Sequence, residues 1–140
     1  MWSNYYEDTL LEWTKLRASA KDLPLKEALH LVNNWWARAP LVSHYLHPAD
    51  YTDWPLPWDL LADNTYCELA KCLGIVYTLL LLDRGEITSL HIIQIDNYYA
   101  VSVNNEQFIL NDQPGEITGG VSDTEIEWSL DCDHFKKKIL

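Results

Sequence analysis

The spacing of apolar residues changes once along this chain, and that change restricts the fold more than any other feature. As far as Leu82 the apolar positions recur at helical intervals; beyond Gly85 they alternate with period two. Residues 3–17 carry Leu10, Leu11, Trp13 (or Thr14) and Leu16 on one helical face. A second helix is expected to start at Asp22-Leu23-Pro24, with Leu25, Ala28, Leu29, Val32, Trp35 and Trp36 as its apolar stripe, and to end at Pro40. A third, from about Thr65 to Leu82, buries Leu69, Cys72, Leu73, Val76, Leu79 and Leu80. Its closing run of four leucines is apolar all round, which marks a central helix.

After Gly85 come three β-rich runs, at 87–96, 98–103 and 107–111. Asp96-Asn97 and Asn104-Asn105 separate them, both pairs suited to tight hairpins. Glu125–Leu130 reads as a further strand, and Pro114-Gly115 and Gly119-Gly120 as turns. Helices followed by a meander imply an α+β fold, with N-terminal helices packed on one face of a small antiparallel sheet. The parts are a helical segment 1–40, a Trp/Pro-rich loop 41–64 (four of the six prolines fall between Pro40 and Pro57), the central helix 65–83, the meander 86–113 and a polar segment 114–140. At 140 residues, one domain is expected.

The formal charge of −11 opposes phosphate backbones and anionic lipid, so nucleic acid and membrane partners are disfavoured. The basic run Lys136-Lys137-Lys138 is expected to be a solvated tail. The first residues lack the basic-then-apolar pattern of a secretory signal, and the cysteine count is odd; both suit a reducing, cytoplasmic setting. No CxxC or HExxH motif appears. His44 and His47 share a short segment without further ligands at metal spacing, so no metal or cofactor is implied.

One arrangement could carry chemistry. Cys67 falls at the start of the most apolar helix, where backbone N–H groups favour a thiolate. His91 on the first strand and Asp112 at the end of the third complete a Cys-His-Asp order of the triad kind. The same residues also fit a small core thiol, a hydrogen-bonded core histidine and a turn-forming aspartate.

Four segments, in order, resemble the bacterial transglutaminase-like cysteine proteinase family. Val32-Asn33 is similar to its Val-Asn segment. Trp54, Pro57, Asp59 and Leu61 stand in register with its Trp-x-x-Pro-x-Glu-x-Leu signature. Tyr66-Cys67-Glu68 falls where the family has Asp-Cys-Glu, and Phe108–Asp112 resembles the strand bearing its aspartate. The likeness covers roughly residues 28–114 and implies a transglutaminase-like (papain-like) core, with Cys67 as nucleophile and Trp54, Trp58 and Tyr66 walling the site.

The chain departs from the family pattern beside the cysteine, where Thr65, Tyr66 and Leu69 replace Gly, Asp and Asp. It departs again at the histidine, whose place before Asp112 holds Tyr98 and Tyr99. Either the hairpin register brings His91 to the site, or Tyr98 occupies the histidine position and the base is lost. The first case implies a cysteine hydrolase or acyltransferase acting on peptide or glutamine amides. The second implies a structural or binding module, with Trp2, Tyr5, Tyr6, Trp13, Tyr45 and Tyr51 available for protein partners, self-association or a larger assembly. Small tryptophan-rich versions of the fold are similar to proteins of tailed bacteriophages, which makes a virion component an expectation of the second case.

Overall fold

The computed structural model describes residues 2–42, 45–95, 98–113, 116–118 and 126–139, with backbone alone at 112, 113 and 116–118. Helices α1 (Tyr6–Lys21) and α2 (Leu25–Ala37) pack against the central helix α4 (Glu68–Leu82). The stripe expected for α2 is buried at Ala28, Leu29, Val32, Trp35 and Trp36, and α4 is buried at almost every position from Leu69 to Leu79. Thr78 joins the three helices. Its hydroxyl accepts from Trp13 Nε1–H (2.8 Å) and Trp36 Nε1–H (2.9 Å) and donates to the Gly74 carbonyl (2.7 Å), which uses its full capacity.

The segment expected as a loop contains two short helices, a 3₁₀ stretch at Pro48–Asp53 and α3 at Pro57–Asp63. Both begin on proline. A proline at the first helical position loses no hydrogen bond and arrives with its φ already set, so these prolines start helices rather than break them. Before them, Leu41 forms a parallel bridge with Tyr66; Ser43 and His44 lie outside the described residues.

The sheet has the order β4-β3-β2-β1-β5, from β1 (Leu90–Ile95), β2 (Tyr98–Val103), β3 (Phe108–Gln113), β4 (Glu116–Thr118) and β5 (Ile126–Asp131), every pair antiparallel. The Asn104-Asn105 turn is left-handed at both residues as expected, and the left-handed run extends to Glu106 (φ 71°). The turns at 96–97, 114–115 and 119–120 lie outside the described residues. One face of the sheet carries Leu90, Ile92, Val101, Val103 and Leu110 into the main core beneath the helices. The other carries Ile93, Ile95, Ala100 and Ile109 in a separate cluster.

The lysine run does not form a tail. It lies on α5 (Asp133–Ile139), with the three lysines exposed and Phe135 fully buried. The phenyl ring stacks on Trp54 (5.7 Å, 9°), and Lys138 Nζ donates to the Thr52 carbonyl. Of the aromatics expected to be available for partners, Trp13 is in the core and Trp2, Tyr6, Tyr45 and Tyr51 are half-buried. Tyr5 is the exposed one, at 71%.

Candidate functional site

Cys67 is the N-cap of α4, with extended backbone (φ −107°, ψ 179°) and little exposure. Its carbonyl accepts the first helical bond, from Lys71 N–H. The preceding residue is tied down on both sides. Tyr66 bridges to Leu41 and its carbonyl accepts from Val42 N–H, while its ring packs edge-on against Trp2 and Trp36 (5.4 and 5.6 Å). The thiol itself is approached by Leu46, whose N–H points at Cys67 Sγ (3.5 Å). The cysteine is therefore held rigidly, with the amide of a separate segment directed at its sulfur.

From the sheet, the residue facing this helix start is Tyr99. Burial raises its phenol pKa first, and negative charge at Cys67 and Cys72 raises it further, so the hydroxyl keeps its proton at neutral pH. Trp128 packs edge-on against it (6.1 Å), and Gln94 stands between the two in cross-strand register. Burial also pushes the Cys72 thiol well up.

Asn111 closes the arrangement from β3. Its left-handed backbone (φ 62°) turns it towards the helices, at a conformation that asparagine tolerates better than most residues. Its N–H donates to Asn33 Oδ1 (2.9 Å). Its side-chain amide reaches Glu68 Oε2 (3.0 Å), the Tyr99 carbonyl (3.1 Å) and Cys72 Sγ (3.4 Å). One residue, through its backbone N–H and its side-chain amide, thus connects α2, α4, β2 and β3 beside Cys67.

The structure does not place His91 on the side of the sheet that faces Cys67. His91 pairs across strands with Ser102 and Asp131, on the sheet face opposite α4; its Nε2 lies 4.0 Å from Asp131 Oδ2. Strand alternation requires this, because Leu90 and Ile92 on either side point into the helical core. Tyr98 faces the same outer side and packs on the Ile93–Ile109 cluster, so Tyr99 rather than Tyr98 meets the thiols. Asp112 lies in β3, its side chain outside the described residues.

Of the residues expected to wall the site, Tyr66 directly precedes Cys67. Trp54 donates to the His47 carbonyl (3.0 Å) and stacks on Phe135, Trp58 is 43% exposed, and Tyr66 is enclosed by the aromatic cluster. His47 caps the 3₁₀ helix by accepting from Ala49 N–H, and among the described residues no group of three or more His, Cys, Asp or Glu could hold a metal. Sequence reasoning named Tyr99 but preferred its neighbour Tyr98, and it missed Asn111 beside Asp112. Each is one residue from the position chosen, and the signal was the strand phase set by Val101 and Val103 for one and the asparagine's tolerance of a bulge for the other.

No family model matches the chain, and neither does any curated protein. Solved structures do. LapG of Legionella pneumophila superimposes with a TM-score of 0.69 at 15% identity, covering 94% of this chain and 77% of LapG. Its calcium-bound form gives 0.68 at 15% identity over 92% and 77%, and its EGTA-treated form 0.68 at 14% over 94% and 76%. The fold is transglutaminase-like. The likeness extends through the helices and the sheet, well beyond residues 28–114, and at this identity it concerns the fold alone. No helix among the described residues is long and apolar enough to cross a membrane.

Proposed function

We propose that this transglutaminase-like domain no longer carries out acyl transfer and serves as a binding or structural module for protein partners. One observation carries the reading: the sheet residue facing Cys67 is a tyrosine that retains its proton, while His91 is on the other side of the sheet. A phenol with a pKa above about 10 cannot take a proton from a thiol at neutral pH. The polar groups around the helix start are moreover occupied in joining elements, with Asn111 holding Glu68 and Cys72. A larger assembly is the setting this reading favours, and the sequence resemblance to phage proteins suggests a virion component. The competing reading, an active cysteine hydrolase, draws its support from Leu46 N–H, a donor of the kind that stabilises a thiolate or an oxyanion.

Alkylation of Cys67 by iodoacetamide, followed by peptide mass spectrometry across pH 5–10, separates the two. Slow labelling at pH 7 that is unchanged by His91→Ala or His44→Ala is expected. Tyr99→His should accelerate labelling at pH 7 tenfold or more by supplying the missing base. Rapid labelling of the wild type that either histidine variant abolishes would restore the hydrolase reading.

A further inference from the structure

Helices α1 and α2 leave a groove of about 310 Å³ between them, and none of the residues described around Cys67 lines it. Lys15, Leu16 and Ser19 line it from α1, and Leu31, Trp35 and Arg38 from the C-terminal half of α2 and its cap. The floor is apolar, with Leu16 and Trp35 buried and Leu31 half-buried. Its two cations are exposed, and neither makes a hydrogen bond, ion pair or ring contact with any described residue. Arg38 is not needed as a helix cap. Its own N–H, the Ala39 N–H and the Lys71 ammonium already serve the last carbonyls of α2, those of Trp35, Trp36 and Ala37. An indole donor is free as well. The other buried tryptophans, Trp13, Trp36 and Trp54, each donate their N–H within the protein. Trp35 is 6% exposed, and its N–H has no acceptor among the described residues, yet is not sealed from solvent. A buried indole ordinarily finds an acceptor, so this one leaves a donor for a polar atom brought in by a ligand.

Charge and shape together restrict the occupant. Glu12 also lines the groove, so two cations and one carboxylate leave one positive charge in excess. A single carboxylate balances that excess. A phosphate monoester brings more charge than the groove can match, and a polyanion would be repelled by a chain of net charge −11. The guanidinium of an arginine suits a carboxylate, which it can hold by two parallel hydrogen bonds. The volume is at the lower end of small-molecule sites, and the two leucines with the indole would cover an apolar body. We infer that this groove is a binding site for a small organic monocarboxylate, an ionised aryl- or alkyl-carboxylic acid. Arg38 and Lys15 would hold the carboxylate, and the body would lie on Leu16, Leu31 and Trp35. The Trp35 N–H and the Ser19 hydroxyl would add directed donors.

The test is calorimetric titration of the full chain with phenylbutyrate at pH 7 and low salt. Phenylbutanol, phenylbutylamine and acetate serve as comparisons, supplying the body without the charge, the opposite charge and the charge without the body. Saturable binding of phenylbutyrate, and weaker or no binding of the other three, is expected. Arg38→Gln and Lys15→Gln should each weaken binding roughly fivefold without lowering Tm, since both side chains are exposed. Glu12→Gln should tighten it. Lys26→Gln, which removes an exposed cation outside the groove, and Cys67→Ser should leave the affinity unchanged. The proposal is overturned if phenylbutyrate fails to saturate, if the alcohol or the amine binds equally well, or if acetate does, which would mean an adventitious ion only. It is equally overturned if Arg38→Gln and Lys15→Gln have no more effect than Lys26→Gln, or if Cys67→Ser removes binding. An acidic peptide that binds where phenylbutyrate does not would make the groove a protein-docking surface and overturn it too.

Discussion

Gly74 shows how closely single residues are fitted in this core. It lies inside α4, where glycine ordinarily costs about 0.5–1 kcal/mol relative to alanine. Here the propensity gain would be outweighed. A methyl group at Gly74 would stand 2.6 Å from Cζ3 of Trp36, and that indole is held by Thr78 and by Trp35 and Tyr66. Overpacking of this kind costs about 1–3 kcal/mol. Gly74→Ala is therefore expected to lower the urea midpoint, and a raised midpoint would show that Trp36 can move aside. At the same scale, the site could be read only in part. Cys67 was placed by the apolar run that follows it. The phase of β2 was not fixed, because Tyr98 and Tyr99 are chemically identical and only Val101 and Val103, once paired, decide which one faces the helix.

Among the elements, α2, α4 and β2 were legible because their apolar residues are numerous and regularly spaced. The two short helices of segment 41–64 were not, since a proline reads as a breaker unless its place in a first turn is known. Helix α5 escaped for a related reason: its single core residue, Phe135, stands between a histidine and three lysines and leaves no periodic trace. What joins the elements is equally invisible in a linear reading, and Thr78 is the clearest case. Thr78→Val keeps the shape but removes the acceptor of two buried indole N–H groups, each costing about 1–3 kcal/mol when unpaired. The variant should unfold at markedly lower urea concentration, and Trp13→Phe on the same background should recover part of the loss. A loss below about 1 kcal/mol would mean that the indoles find other partners.

For the whole molecule, the buried thiols set an alkaline limit on stability. Burial raises the pKa of Cys72 and Cys132 in the folded chain, so both stay protonated there after they would ionise in the unfolded chain. Their contribution is complete below the unfolded value of about 8.5 and declines above it, by about 1.4 kcal/mol per pH unit for each thiol. Tyr66 and Tyr77, also raised by burial, add to the decline beyond about pH 10. Urea midpoints should therefore fall steeply between pH 8 and 10, and less steeply for Cys72→Ala. A flat profile would refute the assignment.

The packing of Phe135 against Trp54 has a bearing on how the chain is made. Strand β1 lies between β2 and β5, and Cys132 N–H donates to the Leu90 carbonyl at the end of that last pairing. Helices α1 to α4 leave the ribosome long before the residues that complete the sheet and cover Trp54. Until residue 135 has emerged, one side of β1 and the indole of Trp54 remain open. Folding during synthesis must therefore wait on the stretch that carries β5 and Phe135, and a nascent chain halted near residue 120 would expose an unpaired strand to its neighbours on the polysome.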